Sequence, residues 1–252
     1  RTAALGVAIT VTAAMGTAAA SAATAAPAAS TVSISNPNSD GSYTAVSDST
    51  SFYDLNIDLG FYCTPTTAQP YGVEASGTIN SVSMQPLRYT IPDAITSLLF
   101  NSDGGCTVDG LTVTATAGAS KANPYTLTIV NSPGENSNGG PADADGYITI
   151  PPSNPVSVSF GVAPNTCAFT VSGDAPGWYE NSDSTLHMAP DVPDVSVPNP
   201  LTINNPTGAL CTALDISNAD RGAFWATDEE PDTAGILTDP FHVSPPIQIS
   251  NP

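Results

Sequence analysis

The sequence has few charged side chains and almost no positive ones. Charged residues make up 11% of its 252 residues, and 4 Lys and Arg stand against 23 Asp and Glu, for a formal net charge of −19. An average globular chain is about one quarter charged. With so few basic side chains there is nothing to neutralise a row of phosphates. The composition therefore argues against nucleic acid or an anionic membrane as a partner.

Signatures of catalysis and of zinc binding are also missing. No Gly-x-Ser-x-Gly motif and no Cys-x-x-Cys pair occurs, and the two histidines lie far apart in the chain. His187 has Asp183 and Ser184 nearby, but it sits in a strand-like Ser-Thr-Leu-His-Met pattern that predicts a half-exposed structural histidine. His242 is interpreted in the same way. No motif selects a pair of carboxylates for glycoside hydrolysis. The sequence therefore favours a protein that is not an enzyme.

A long apolar run occurs only at the beginning of the sequence. Arg1 precedes the uncharged segment Ala3–Ala20, and Ala-x-Ala sites follow at Ala20–Ala22 and Ala23–Ala25. This order predicts a secretory signal peptide over residues 1–25, with a membrane anchor as the alternative. No later stretch approaches the roughly 20 apolar residues that span a bilayer. We therefore expect a secreted protein, extracellular or at the cell surface, without a transmembrane segment in the mature chain.

The rest of the chain has the alternating pattern of β-strands. Short segments with apolar and polar residues in alternation are rich in β-branched and aromatic side chains and end at Gly, Pro, Asn or Asp. They include Thr31–Ser35, Leu111–Thr116, Tyr125–Val130, Pro155–Phe160 and Ala168–Val171. The nearest approach to a helical period is Ile91–Phe100, where Pro92 allows at most a turn or two of helix. The sequence predicts an all-β fold.

Several landmarks recur at one spacing, which predicts an internal duplication. Pairs of matching residues lie 104 or 105 positions apart: Cys63 with Cys167, Cys106 with Cys211, Met84 with Met188, and Asp40-Gly41 with Asp145-Gly146. We therefore expect two tandem β-sandwich modules, immunoglobulin-like or similar, over residues 26–122 and 123–252. The alternative is a single large β-sandwich or jelly roll, which also suits the length.

The four cysteines predict two disulfide bonds in an exported protein, with three possible pairings. If the chain is duplicated, each module holds its own bridge. The expected pairs are then Cys63–Cys106 and Cys167–Cys211.

A loop rich in glycine and in oxygen ligands is a candidate calcium site. Carboxylate and amide oxygens are concentrated at Glu135, Asn138, Asp143 and Asp145, and calcium prefers such hard ligands. The alternative is a long hairpin connection that ends in a turn at Asp145-Gly146. Calcium is the one cofactor that the sequence suggests.

Three aromatic residues are candidates for ligand binding. Trp178 and Tyr179 follow a turn rich in glycine and proline, and Trp225 precedes an acidic run. Exposed aromatic rings can stack on sugars, whereas a tryptophan in a β-sandwich often belongs to the core. Carbohydrate binding predicts that Trp178 or Trp225 is exposed on one face.

The function that the sequence favours is that of a secreted, non-enzymatic surface, structural or adhesive binding protein. A cell-surface or carbohydrate ligand is the expected partner. One alternative is a secreted protein that binds or cleaves polysaccharide. Another is a filament subunit assembled by strand exchange, with Ile247–Pro252 as the donor strand.

Overall fold

The computed structural model describes residues 31–131, 143–192, 195–229 and 231–251. The predicted signal peptide, residues 1–25, lies outside this part of the chain. The described residues form nineteen strands and one short helix. The helix within them is not long and apolar enough to cross a membrane.

The strands follow one another along the chain, with connections that range from one residue to fifteen. The first ten are β1 (Thr31–Ser35), β2 (Ser42–Ser47), β3 (Thr50–Asp54), β4 (Leu59–Cys63), β5 (Val73–Thr78), β6 (Val82–Pro86), β7 (Tyr89–Ile95), β8 (Ser97–Phe100), β9 (Cys106–Val108) and β10 (Leu111–Ala117). The remaining elements are β11 (Tyr125–Ile129), β12 (Asp143–Ile150), β13 (Val156–Val162), β14 (Asn165–Glu180), β15 (Thr185–Met188), β16 (Thr202–Thr207), α1 (Ala209–Ala213), β17 (Gly222–Trp225), β18 (Phe241–Ser244) and β19 (Gln248–Ser250). The prediction of an all-β fold is confirmed.

Side-chain alternation explains most of these strands. In β13, Val156, Val158 and Phe160 are buried, and the serines between them are exposed. Successive side chains of a strand point to opposite faces, so this pattern buries one face and leaves the other in water.

The helical turns expected over Ile91–Phe100 are not formed, because this segment lies in β7 and β8. Pro92, which has no N–H to donate, falls where the pairing of β7 with β11 shifts register between the Ile91–Leu127 and Ile95–Tyr125 pairs. Strands accommodate proline at irregularities of this kind.

Most strands belong to one continuous path of paired strands. Its order is β17-β3-β4-β9-β10-β8-β5-β2-β18-β15-β14-β12-β11-β7, and β19-β1-β6 form a separate small sheet. The end of the path returns toward its middle, since the Thr96 N–H donates to the Ser76 carbonyl at 2.8 Å, which brings β7 beside β5. A Cβ on Gly77 would lie 1.9 Å from the Ala94 oxygen, so this approach requires glycine. The strands that lie between β5 and β7 on this path, in the order β5-β2-β18-β15-β14-β12-β11-β7, therefore surround a common interior.

Hydrogen bonding crosses the predicted module boundary near residue 122 repeatedly. The antiparallel pairs that join the two sides are β2 with β18, β3 with β17, β10 with β13, β7 with β11 and β1 with β19. The two predicted modules therefore interleave in one hydrogen-bonded structure. That they are homologous copies stays a prediction.

The terminal strand proposed as a donor for strand exchange is paired within its own chain. Ile249 of β19 is the register partner of Ile34 in β1, and both side chains are buried. β19 is therefore not an unpaired donor strand, although it lies at the edge of its sheet, and assembly by strand exchange stays a prediction.

One hydrophobic core is shared by the two predicted halves. The ring of Phe61 meets those of Phe160 and Phe169 edge-on, each at 5.6 Å between centroids. Both predicted disulfides are present in this core, Cys63–Cys106 and Cys167–Cys211. The first joins β4 to β9, and the second joins β14 to the short helix α1.

Candidate functional site

The residues predicted to bind calcium are only partly within the described chain. Glu135 and Asn138 lie outside it, and Asp143 and Asp145 belong to β12. The Asp145 carboxylate is buried and accepts a hydrogen bond from the Asn131 amide at 3.2 Å. A calcium site at these residues stays a prediction.

The turn proposed at Asp145-Gly146 is not formed. Gly146 pairs with Ile129 in the ladder between β12 and β11, so the strand begins before this point. A Cβ on Gly146 would lie 2.3 Å from the Thr128 oxygen, and close strand approach therefore accounts for the glycine. The matching Asp40-Gly41 is a turn, with a φ of 71° at Gly41.

The three candidate ligand-binding aromatics are buried. Trp178, Tyr179 and Trp225 are 2%, 7% and 5% exposed. Both tryptophans pack in a small cluster with Tyr53 and Val192, outside the main core. Carbohydrate stacking requires an exposed tryptophan, and the prediction that Trp178 or Trp225 is exposed is wrong. The chain that follows β15 covers this face of β14.

His187 lies at the centre of a buried polar group on the same face. Its side chain is 2% exposed and stacks on Trp178, with ring centroids 4.8 Å apart. The hydroxyl oxygen of Thr185 lies 2.9 Å from Nε2, and that of Thr227 lies 3.0 Å from Nδ1. The prediction of a half-exposed histidine is wrong, because Trp178 and the segment around Thr227 cover the ring.

Carboxylates surround this histidine. Glu180 lies 3.7 Å from Nε2 and Asp228 lies 3.8 Å from Nδ1. Burial lowers the pKa of His187, and the nearby Asp228 and Glu180 oppose that shift. Burial and the neighbouring carboxylates raise the pKa of Glu229.

Glu180, His187 and Glu229 each place one potential ligand atom within 4.8 Å of the others, which is a grouping that could hold a metal ion. Both ring nitrogens already have threonine partners, and this favours a structural role for His187. β14 and β15, which pair through Glu180 and Thr185, bring Glu180 beside His187, and nothing in the sequence indicated that Glu180 or the Asp228–Glu229 loop would lie there.

A large apolar cavity lies in the shared interior. Its volume is about 120 Å³. Both predicted halves contribute to its lining: Phe61 and Leu98 come from the first half, and Val158, Met188 and Phe241 come from the second. Tyr43, Thr50 and Tyr125 are the lining residues that carry hydroxyl groups. The Tyr43 hydroxyl donates to the Ala94 carbonyl at 2.7 Å, so it is already satisfied.

Small side chains at inward positions explain the cavity. Ala45, Ala75, Ala115 and Ala175 lie on four different strands, and all four line the space. Each position points inward by the alternation of its strand, yet each carries only a methyl group. Large residues on the facing strands do not fill the resulting volume.

A second, smaller cavity lies beside the first. Its volume is about 50 Å³, and isoleucines such as Ile79, Ile91 and Ile129 form much of its wall. The residues that line both cavities are Tyr43, Ile95, Ile148, Leu186 and Met188. These five side chains form the partition between the two spaces.

Comparisons with known proteins leave the fold and the site to be interpreted from their own geometry. No known protein family, no curated protein and no solved structure matches the chain.

Proposed function

We propose that the chain is a secreted, non-enzymatic binding protein that holds a small apolar molecule in its larger interior cavity. The single observation that carries this proposal is the cavity of about 120 Å³ with an almost wholly apolar lining. The two disulfide bonds support an oxidising location outside the cytoplasm, in agreement with the signal peptide expected at residues 1–25.

The physical argument is the free energy of empty space. Protein interiors are close-packed and contain few voids larger than a water molecule. At roughly 24 cal/mol per Å³, a cavity of about 120 Å³ costs about 3 kcal/mol of stability. An apolar cavity of about 150 Å³ stays dry and binds benzene or xenon. A ligand of similar size would restore the missing contacts.

The lining also selects the chemistry of the ligand. Because the lining side chains include three hydroxyls and no charged group, a charged molecule would lose its hydration without gaining a charged partner. The ligand is therefore neutral and mostly hydrocarbon. A surface or adhesive role for the same protein stays a prediction from the sequence.

Thermal unfolding with and without small apolar probes tests the proposal. A ligand that binds only the folded state at one hundred times its Kd stabilises the protein by about 2.7 kcal/mol. Benzene, toluene and hexanol should therefore raise the unfolding temperature of the wild type, and glycerol should not. Ala75→Leu, which fills the cavity, should abolish the effect, whereas Ala213→Leu on the exposed side of α1 should retain it.

Xenon NMR gives a second measurement that does not depend on a variant folding. Xenon bound in the cavity should give a shifted resonance in the wild type. Absence of both the shifted xenon resonance and the thermal stabilisation would overturn the proposal, as would equal stabilisation of wild type and a folded Ala75→Leu variant.

A further inference from the structure

The two cavities share five lining side chains and so adjoin in the interior, and this geometry restricts the shape of the ligand. We infer that the protein binds a slender, unbranched hydrocarbon chain, whose body fills the larger cavity and whose end passes the partition into the smaller one. The inference rests on the proposed binding function and specifies its ligand class.

The partition contains a side chain that can move. Met188 lines both cavities and is 2% exposed. Its backbone is fixed, because its N–H donates to the Ala226 carbonyl and its carbonyl accepts from the Ala226 N–H, both at 3.0 Å. Its thioether, in contrast, has three rotatable bonds and adapts to irregular space. Movement of this side chain would join the cavities without disturbing β15.

The smaller cavity results from the same kind of sequence choice as the larger one. Its wall includes Ala94, Ala144, Gly146 and Gly177, which present little or no side chain to the interior. A Cβ on Gly177 would lie 2.8 Å from the Met188 sulfur and 2.2 Å from the His187 carbonyl oxygen, so the glycine leaves room for the methionine. The space beyond the partition therefore depends on small residues on β7, β12 and β14.

Size and charge narrow the ligand class. The second cavity, at about 50 Å³, is less than half the size of the first, so it suits the end of a narrow chain and not a ring or a branched group. The protein's net charge of −19 repels anions and so disfavours ionised fatty acids. The chemistry that fits is a neutral alkyl chain, free or attached to a neutral head group.

A series of straight-chain alcohols from butanol to decanol tests this inference by isothermal titration calorimetry. If both cavities are used, the affinity of the wild type should rise about fourfold for each added methylene group until both spaces are full. Ionised fatty acids of equal length should bind more weakly than the alcohols. Benzyl alcohol, which is too broad to pass the partition, should show no gain from the second cavity.

Two matched variants separate the cavities. The Ala144→Leu substitution fills only the second cavity. This variant should bind short alcohols and benzene like the wild type, but its affinity should not rise further for longer chains. Ala75→Leu fills only the first and should weaken every ligand. Ala94→Val, which also lines only the second cavity, replaces Ala144→Leu if that variant does not fold.

The outcomes distinguish this inference from the proposed function. If Ala144→Leu and Ala94→Val both keep the chain-length dependence of the wild type, the second cavity is not occupied and the inference is wrong, while binding of benzene would still support the proposed function. If the wild type binds neither benzene nor any alcohol, the proposed function itself is wrong.

Discussion

At the scale of single residues, the buried carboxyl group of Asp54 on β3 lies close to a second acidic side chain, Asp220. The Asp54 side chain is fully buried, and its Oδ1 accepts a hydrogen bond from the Asn56 N–H at 3.0 Å. Burial and the nearby Asp220 raise the pKa of Asp54 to about 6. The folded protein therefore holds a proton on Asp54 at a pH where the unfolded chain has released it.

Replacing Asp54 by asparagine should stabilise the protein at neutral and higher pH. With the folded pKa raised from 3.8 to about 6, the contribution of this group is fully favourable below pH 3.8 and is lost as the pH rises through about 6. An ionised Asp54 at pH 8 thus lowers stability by roughly 2 to 3 kcal/mol. Asp54→Asn keeps the acceptor for Asn56 and should recover about 2 kcal/mol at pH 8 and much less at pH 4.

Urea unfolding at pH 4 and pH 8 measures this difference, with Asp103→Asn as the exposed control. A gain that is equal at the two pH values would contradict the assignment of the raised pKa to Asp54. The pH dependence of stability that comes from His187 has the opposite sign, and it is the same in the wild type and in Asp54→Asn. Burial lowers the pKa of His187, so stability is lost as the pH falls below about 6.5.

At the scale of elements, β14 is the strand that organises the sheet. The first part of its 16 residues pairs with β13 and β16, and the second part pairs with β12 and β15. The change of partners occurs near Gly173, whose φ is 123° and whose Cβ would lie 2.5 Å from the Pro200 oxygen. This one strand thereby borders both the core and the His187 group.

The bridge from β14 to α1 should both close a long chain loop and hold the helix in place. Closing a loop with a separation of 44 residues contributes roughly 4 kcal/mol, and the same holds for the 43-residue separation of the other bridge. However, α1 has only five residues and cannot persist without tertiary support. We expect the Cys167→Ala/Cys211→Ala variant to lose roughly 4 kcal/mol of unfolding free energy and also the protection of α1.

Urea unfolding and amide hydrogen exchange measure the two effects. Cys63→Ala/Cys106→Ala is the matched control, since Cys63 and Cys106 are register partners in paired strands and α1 should stay protected in that variant. Persistent protection of α1 after removal of Cys167–Cys211 would show that the bridge does not hold the helix. Proteolytic mapping that finds a Cys106–Cys167 peptide would contradict both pairings.

At the scale of the whole molecule, the two halves exchange strands. β3 of the first half has β17 of the second as its outer partner, and β13 of the second half has β10 of the first. The strands around the cavities likewise come from both halves, since β18 of the second half pairs with β2 of the first. The apolar interior is consequently formed only when both halves are present.

Neither half should fold alone. Fragments 31–122 and 123–251 would each expose unpaired strand edges and an open core, so we expect each to lack cooperative unfolding and to aggregate. Coexpression of the two should restore a folded complex that binds the apolar probes of the intact chain. Circular dichroism and thermal melts of each fragment and of the complex test this. A cooperative transition in either isolated fragment would support independent modules instead.

Local patterns were sufficient for much of the fold. The alternation in β10, β11 and β13 follows from the geometry of a single strand, and it located these elements in the sequence. The spacing of the cysteines indicated the pairs that the structure contains. The candidate site was less predictable, because the exposure of Trp178, Trp225 and His187 depends on segments that lie far away in sequence.

The sequence by itself determined an acidic, all-β chain with two disulfide bonds, because charge, strand period and cysteine spacing are local properties. Only the tertiary structure decided which strands pair across the middle of the chain, since pairing partners such as β2 and β18 are separated by almost two hundred residues. The tertiary structure also decided where the interior is left unfilled. A cavity arises when small residues such as Ala45 and Ala175 line the same interior space from distant strands, and no local pattern in the sequence shows that they will do so.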